Sequence, residues 1–475
     1  MSDHLNQSSV PPGRDDAGRT ADRQAVIAAR LDRLPVGRWH RRLTGVIGIG
    51  LFYEYFELVL GGTLVATLRP LWNLTAFESG VLICSVFLGM FVGAIGLGYL
   101  GDRFGRRRMF LINLTIYLVF GLLAAAAPNV WVLAACRFVA GIGAGAESTL
   151  VGAYLGEFLP KGSRGRYIGW VMTIGFLAYP TVAFLGAPLA QTTFLIEGWR
   201  WLLIAAGSGA VLLLWVRRSL PESARWLAGR GRYAEAEAVV AGIEKEAERE
   251  SGPLPAPVVE PVGPSRSAAP VRDMFRGRYL GRLVVINVFN VCAGVAHYGI
   301  GAIAPLILLA KGFDIVQSLL YTGLIAVGYP LGAAVVATIG DRVERKRLII
   351  VSALLMAGAG IVFGVADQEI VVLLVGFIFT TLGSVFATAA CVYVPEIFPT
   401  ETRGFATGLG NGLSRLATAL MPFAALSILA ALGPVGVLSV SALLLVICSV
   451  DIALFGPRTT GRRLEDVTAT LVSGR

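Results

Sequence analysis

Glu54, Glu57, Glu147 and Arg415 are ionisable residues inside long apolar runs, and a charge held at membrane depth is a functional hypothesis by default. Glu54 and Glu57 are three residues apart, so on a helix they share one face. Glu54 lies twelve residues beyond Arg42. At about 1.5 Å per residue that is roughly 18 Å, near the middle of a bilayer. One of the two acids could bind and release a proton; the alternative is a permanently paired acid that only fixes helix packing. Proton coupling by the pair is the favoured reading. Glu147, roughly 15 Å along its helix from Glu157, is a further candidate for the proton site. Arg137, ten residues before Glu147, falls in the outer half of that helix. The glycines between them, Gly141, Gly143 and Gly145, predict a close-packed helix face.

Arg415 says most about the class of solute. It lies twelve residues past Arg403, again roughly 18 Å deep. A guanidinium cannot be deprotonated there and needs an anionic partner. Its own run contains no acid. Either a helix-one acid or a substrate carboxylate could serve, and the planar fork of arginine suits a carboxylate. Both readings stay open: an anion site, or a salt bridge with Glu54 or Glu57. Polar and aromatic residues in other runs could orient a ring or hydroxyls: Tyr179, Asn287, Asn290, His297, Tyr298, Tyr329 and Asn411. For any one of them, helix packing is the competing role.

The elements that must position these side chains are membrane-spanning helices. Of the 475 residues, 55% are hydrophobic and only 15% charged, less charge than soluble domains carry. The apolar residues fall into blocks of about 18 to 25, enough to cross roughly 30 Å of hydrocarbon. Six blocks lie near 44–66, 78–100, 109–127, 131–155, 167–190 and 200–217. Six more lie near 279–306, 317–339, 348–366, 370–394, 404–430 and 433–456. The expected division is a cytoplasmic tail over 1–42, read as flexible to about 37, a six-helix bundle over 43–217, a cytoplasmic central loop over 218–278, a second bundle over 279–456, and a cytoplasmic tail over 457–475. Within the central loop, Arg232 to Glu250 reads as a surface helix and Ser251 to Pro270 as an irregular, proline-rich linker. The loop is expected to act as a tether.

The formal net charge of +10 does not point to nucleic acid, because the basic residues sit in short clusters between apolar blocks. Arg103, Arg106, Arg107 and Arg108 follow block two, and Arg342, Arg345, Lys346 and Arg347 follow block eight, whereas alternate loops hold little beyond Arg69, Arg200 and Lys311. The positive-inside rule then places both termini and the central loop in the cytoplasm of an inner or plasma membrane. The cysteines, Cys84, Cys136, Cys292, Cys391 and Cys448, all fall in apolar blocks without metal-ligand spacing. No phosphate-binding loop, nucleophile–base set or metal cluster is present, so neither an ATP-driven pump nor an enzyme is expected, and no cofactor beyond a coupling proton.

The chain repeats itself. Gly101-Asp102-Arg103 recurs as Gly340-Asp341-Arg342, and Tyr154, Glu157, Pro160 and Arg164-Gly165 recur as Tyr393, Glu396, Pro399 and Arg403-Gly404, all offset by 239 positions. One offset across separate loops marks two copies of a half, as in transporters whose halves rock about a central site. Asp102, Arg103, Arg106, Glu157 and Arg164, with Asp341, Arg342, Glu396 and Arg403, are then candidates for a charged cytoplasmic gate, a bistable interface.

These residues resemble the major facilitator superfamily. The run from Gly98 to Arg108 resembles its signature loop between helices two and three, and Arg137 with Gly141, Gly143 and Gly145 resembles its helix-four motif. Pro221-Glu222-Ser223-Ala224-Arg225-Trp226-Leu227 resembles the sugar-porter signature after helix six, with Ala224 in place of the usual Pro. Pro457-Arg458-Thr459-Thr460-Gly461 resembles that family's tail motif, with Arg458 in place of Glu. Phe52 to Leu58, carrying Glu54 and Glu57, resembles the paired-acid signature of metabolite:proton and aromatic acid:proton symporters, with Glu for the usual Asp, and Gly145-Ala146-Glu147 is similar to the same branch.

The resemblance implies an all-α fold of twelve spanning helices in two pseudo-symmetric bundles. It implies alternating access, a pairing of Arg137 with a helix-one acid (Glu57 by depth), and, by similarity to animal organic anion transporters, an anion role for Arg415. The expected function is proton-coupled symport of a small organic anion, an aromatic or heterocyclic carboxylate. A sugar or polyol porter is the alternative within the class, and a non-transporting solute sensor the alternative outside it. The expected partners are the solute and the lipid bilayer, with the chain a monomer and no nucleic acid.

Overall fold

Each long apolar run forms helix, because in hydrocarbon every N–H must find a carbonyl within its own segment. The computed structural model describes residues 14–159, 163–190, 192–217, 220–259, 277–340, 342–397 and 400–459. In the N-terminal half the helices are α1 (Arg14–Asp32), α2 (Arg38–Trp72), α3 (Ala76–Phe104), α4 (Arg106–Ala125), α5 (Val130–Phe158), α6 (Arg164–Phe176), α7 (Ala178–Leu189) and α8 (Gly198–Arg217). The short α9 (Ala224–Gly229) and α10 (Tyr233–Ser251) belong to the central loop. The C-terminal half holds α11 (Gly277–Gly294), α12 (Ile300–Ala310), α13 (Ile315–Ala326), α14 (Gly328–Ile339), α15 (Arg345–Val365), α16 (Glu369–Glu396) and α17 (Thr400–Phe455).

Twelve spans result, several built from two pieces. The fifth span is α6 followed by α7, and the eighth is α13 followed by α14. Both breaks have one cause. Pro180 and Pro330 lack the N–H that would bond to the carbonyls of Phe176 and Ala326, so each helix slips two to four residues upstream of its proline. The seventh span runs from α11 through a π turn at Val295–Gly299 into α12. The eleventh and twelfth spans meet at Gly433, whose φ of 66° suits glycine, with Pro434 directly after it.

Small residues set the closest approach. A Cβ on Gly89 or Gly93 of α3 would press on the carbonyls of Phe138 and Ile142 in α5, and one on Gly141 or Gly145 would press on those of Val86 and Met90. Gly141 and Gly145 thus form a close-packed face as expected, but Gly143 looks the other way, where a Cβ would press on the Asn113 carbonyl of α4. Cations close helix C-termini on both faces: Arg200 Nη1 donates to the Ala125 carbonyl at 2.6 Å, Lys311 Nζ to Gly364 and Ala366 at 2.8 Å, and Lys346 Nζ to Gly456 at 2.7 Å. Each meets orphan carbonyls at the negative end of a helix. The halves touch along three lines: α6–α7 against α14–α13, α3 against the first part of α17, and α2 against α12.

The part of the expected flexible tail that the structure describes, from Arg14 on, packs with the central loop as a layer. Ile27, Leu31 and Leu34 are buried in one apolar cluster with Leu227, Ala228, Val240 and Ile243 of α9 and α10. Arg30 and Arg33 both bind Glu244, at 2.5 and 2.6 Å. Arg225 binds Asp32 at 2.9 Å, and Glu250 accepts from the Arg38 backbone N–H at 2.7 Å and from Arg41 at 3.1 Å. Burial alone would raise the Glu244 carboxyl; the hydrogen bonds from Arg30 and Arg33 outweigh it and hold the group below its ordinary value. The central loop is therefore more than a tether. Its helices clamp the N-terminal helix to the start of α2. Composition misled the reading, because the arginines and aspartates hid an apolar stripe at i, i+4 and i+7.

Candidate transport site

Two ion pairs stand on the first span. Arg137 Nη1 lies 3.0 Å from Glu57 Oε1, and its Nη2 donates to the Glu57 backbone carbonyl at 3.0 Å. Both side chains are fully buried, and both belong to the N-terminal half. The Arg137–Glu57 pairing implied by the family resemblance is therefore present. Arg415 Nη2 lies 3.3 Å from Glu54 Oε1, with Glu54 buried and Arg415 12% exposed. This pair joins α2 of one half to α17 of the other. A guanidinium and a carboxylate removed from water need each other, since losing one partner leaves an uncompensated buried charge. Of the two pairs, only the second therefore crosses between the halves.

Beside Glu54 stands an aromatic cluster. Tyr55 stacks on Phe176, with ring centres 5.1 Å apart, and Phe176 stacks on Tyr329 at 5.7 Å. Tyr179 and Tyr329 approach to 4.3 Å across the two halves, and His297, itself buried, meets Tyr329 edge-on at 5.5 Å. The broken helices explain the meeting. Tyr179 and Tyr329 each precede the proline that interrupts their span, and His297 sits in the π turn of the seventh. Irregular backbone thus gathers where both halves converge, as expected around a central site.

Other expected contacts sit around this centre less directly. Asn287 and Asn290 donate to the carbonyls of Leu283 and Ile286 one turn back, at 2.6 and 2.9 Å. Asn290 also packs where a Cβ on Gly410 would stand, whereas Asn411 is exposed and Arg342 faces outward at the basic end. The side chains of Glu147, Tyr298, Asp102, Arg103, Arg106, Glu157, Arg164, Glu396 and Arg403, and the whole of Asp341, lie outside the described residues. Sequence reasoning missed Tyr55 and Phe176. The shared Tyr-Pro step at 179–180 and 329–330 was a usable signal, since it marks matching breaks in two facing helices.

At the basic end the two halves repeat one contact. Tyr154 donates to the Pro221 carbonyl at 2.6 Å, and Tyr393 donates to the Pro457 carbonyl at 2.8 Å. Glu222 accepts from the Arg107 backbone N–H at 3.2 Å, while Glu344 accepts from that of Thr459 at 3.3 Å. The motifs after the sixth and twelfth spans therefore serve as equivalent stays for the loops beside them.

The profile of the sugar (and other) transporter family matches residues 53–471. This chain belongs to that family, within the major facilitator superfamily. It is 31% identical over 456 residues to YdjK of Escherichia coli, a chain named for metabolite transport, covering 94% of this chain and 98% of that one. It is 27% identical to the niacin transporter NiaP of Acinetobacter baylyi, over 93% of this chain and 99% of the other. The structure of the proton:xylose symporter XylE matches with a TM-score of 0.71 at 21% identity, over 91% and 98% of the two chains. This facilitator is accordingly a multi-pass membrane protein that transports a small solute and is not an enzyme.

Proposed function

We propose that this facilitator is a proton-coupled symporter of a small organic anion, an aromatic or heterocyclic carboxylate. The observation that carries this reading is the Glu54–Arg415 pair, joined across the two halves. Arg415 cannot lose its proton, so it requires one anion at all times. In the empty carrier Glu54 is that anion. A solute carboxylate can take its place only if Glu54 is neutralised, so a proton and an anion enter together and leave together. Either charge-balanced state can cross between outward and inward forms, and unbalanced states are held back by the cost of an unpaired buried charge. The aromatic rings beside Glu54 offer a planar acid a stacking surface. A niacin transporter among the relatives fits this class, niacin being a pyridine carboxylate.

Under the positive-inside rule the face bearing α1, α9 and α10 is cytoplasmic, in an inner or plasma membrane, and the chain works as a monomer. The acidic and basic residues near Asp102 and Arg106 act as the inward gate in this reading; an Asp102→Asn variant with both transport rate and accessibility labelling unchanged would remove that assignment. Uptake of radiolabelled carboxylates and sugars into proteoliposomes, with and without an imposed pH gradient, tests the main reading. Carboxylates should compete, neutral sugars should not, and a protonophore should abolish accumulation. Intact carboxylate uptake by Arg415→Lys would count against it, because an ammonium lacks the two-pronged fork.

A further inference from the structure

Contacts between the two halves hold together the end of the bundle away from the basic loops, and two of them are of one kind. Phe423 of α17 lies against Gly80 of α3, so closely that a Cβ on Gly80 would stand 2.7 Å from the ring Cδ1. Phe184 of α7 lies against Gly323 of α13, where a Cβ would stand 2.6 Å from the ring Cε1. Both distances are far inside the contact separation of two carbons, so each ring rests where only glycine leaves room. Phe77 completes the first contact, its ring centre 5.7 Å from that of Phe423. Gly80 stands four residues into α3, and Phe184 five residues before the end of α7. At about 1.5 Å per residue both lie within roughly 8 Å of that end of their helices.

The two phenylalanines are 239 positions apart, the offset of the internal repeat. The fifth and eleventh spans are therefore equivalent elements, and each sends the equivalent ring across to the other half, α7 to α13 and α17 to α3. The receiving glycines are one helical turn from equivalence, since Cys84, not Gly80, stands 239 positions before Gly323. Two separate contact lines thus carry one device, related by the same pseudo-symmetry as the halves. In alternating access the halves part at one end at a time, so both rings must leave their glycines when this end opens.

We propose that Phe184 and Phe423 are twin latches: each holds this end closed by seating on a glycine of the opposite half, and the two release together because each half moves as a body. The chemistry is shape alone. A ring seated on bare backbone buries apolar surface on both partners, and a single added methyl displaces it. Losing one seated ring should raise the open fraction about tenfold, and losing both about 100-fold, since the two contacts share no partner. Opening of this end is needed for any solute, so the latches do not depend on the charge of the cargo.

Cys84 supplies the readout. It shares a face of α3 with Phe77 and Gly80 and is part-buried. The full-length carrier is placed in lipid nanodiscs with Cys136, Cys292, Cys391 and Cys448 replaced by serine, and the rate at which a bulky, charged maleimide modifies Cys84 is measured. Phe184→Ala, on the other contact line, should speed the reaction about tenfold, as should Phe423→Ala, and the two together about 100-fold. Gly323→Ala should act like Phe184→Ala when made alone and add nothing in the Phe184→Ala background, because the ring its methyl displaces is gone. A reaction that responds to Phe423→Ala and not to Phe184→Ala would overturn the joint release. A Gly323→Ala effect that persists undiminished without the Phe184 ring would overturn the seating. If Phe184→Ala does not fold, Phe184→Leu should give a smaller shift of the same sign, and no shift would overturn the latch.

Discussion

Arg137 and Glu57 lie 3.0 Å apart inside one half of the carrier, one helical turn from the pair that joins Glu54 to Arg415 across both. A pair held within one half is expected to stay together while the halves move, so the role expected of it is to hold α2 against α5. Removing one partner should destabilise the carrier by about 3–5 kcal/mol, since the other charge is left buried alone. Replacing both, as Glu57→Leu with Arg137→Met, should restore most of that loss. Thermal unfolding of the detergent-solubilised protein makes the comparison. If Glu57→Gln instead left stability intact and abolished pH-driven uptake, the proton would belong to Glu57.

The bridging pair predicts a different phenotype. Glu54→Gln removes the internal anion that satisfies Arg415 in the empty carrier. The loaded form, with a carboxylate on Arg415, is still balanced. Net uptake requires the empty carrier to return and should fall at least about 100-fold, in line with the cost of an unpaired buried charge. Exchange of internal for external substrate should persist and lose its response to a pH gradient. Loss of exchange as well would mean that Glu54 contacts the substrate directly.

Much of this arrangement was legible in the sequence, and the failures have physical causes. Span lengths were readable because the bilayer imposes one thickness on every helix. Depth counted from Arg42 and Arg403 placed Glu54 and Arg415 at a common level, and they do meet. The choice between Glu54 and Glu57 as the partner of Arg415 could not be read, because residues one turn apart differ in face by less than the uncertainty in helix rotation. The aromatic cluster was half visible: Tyr179, Tyr329 and His297 stood out as polar in apolar runs, whereas Phe176 and Tyr55 carry nothing in the sequence that sets them apart from other aromatics there. The helix breaks that bring them together follow from Pro180 and Pro330, whose effect on a span depends on what its neighbours offer the freed carbonyls. Thr380, from a different span, donates to the Ile325 carbonyl at 2.5 Å, next to the Ala326 carbonyl that Pro330 leaves without its N–H.

Acid should loosen the N-terminal helix before it affects the bundles. Glu244 holds Arg30 and Arg33 together, and its carboxyl is depressed below the ordinary value of 4.5. A depressed carboxyl contributes stability that is full above the unfolded value and lost as pH falls through the lower folded value. Amide hydrogen exchange across residues 24–34 should therefore accelerate as pH drops below about 4.5, after correction for the intrinsic rate. Glu244→Gln should show the fast exchange already at neutral pH, with exchange in α3 and α5 unchanged. Protection unaffected by the substitution would show that the apolar contacts of Ile27 and Leu31 hold the layer alone.

The twinned tyrosines allow the internal symmetry to be tested as energy as well as shape. Tyr154 and Tyr393 occupy equivalent places in the two halves and donate to equivalent carbonyls, those of Pro221 and Pro457. Both rings are buried, so removing either hydroxyl leaves its proline carbonyl short of a donor without opening a cavity. Tyr154→Phe and Tyr393→Phe should each cost about 1 kcal/mol, the usual worth of a buried neutral hydrogen bond. The losses should add in the double variant, because the two sites share no partner. Both contacts lie at the basic end, away from the Glu54–Arg415 pair, so substrate KM should stay within about twofold while the unfolding temperature falls stepwise. Additivity with unchanged KM would mark the two stays as independent braces. A double variant costing clearly more than the sum would show that the halves lean on each other through that end, and would tie it to the rocking motion.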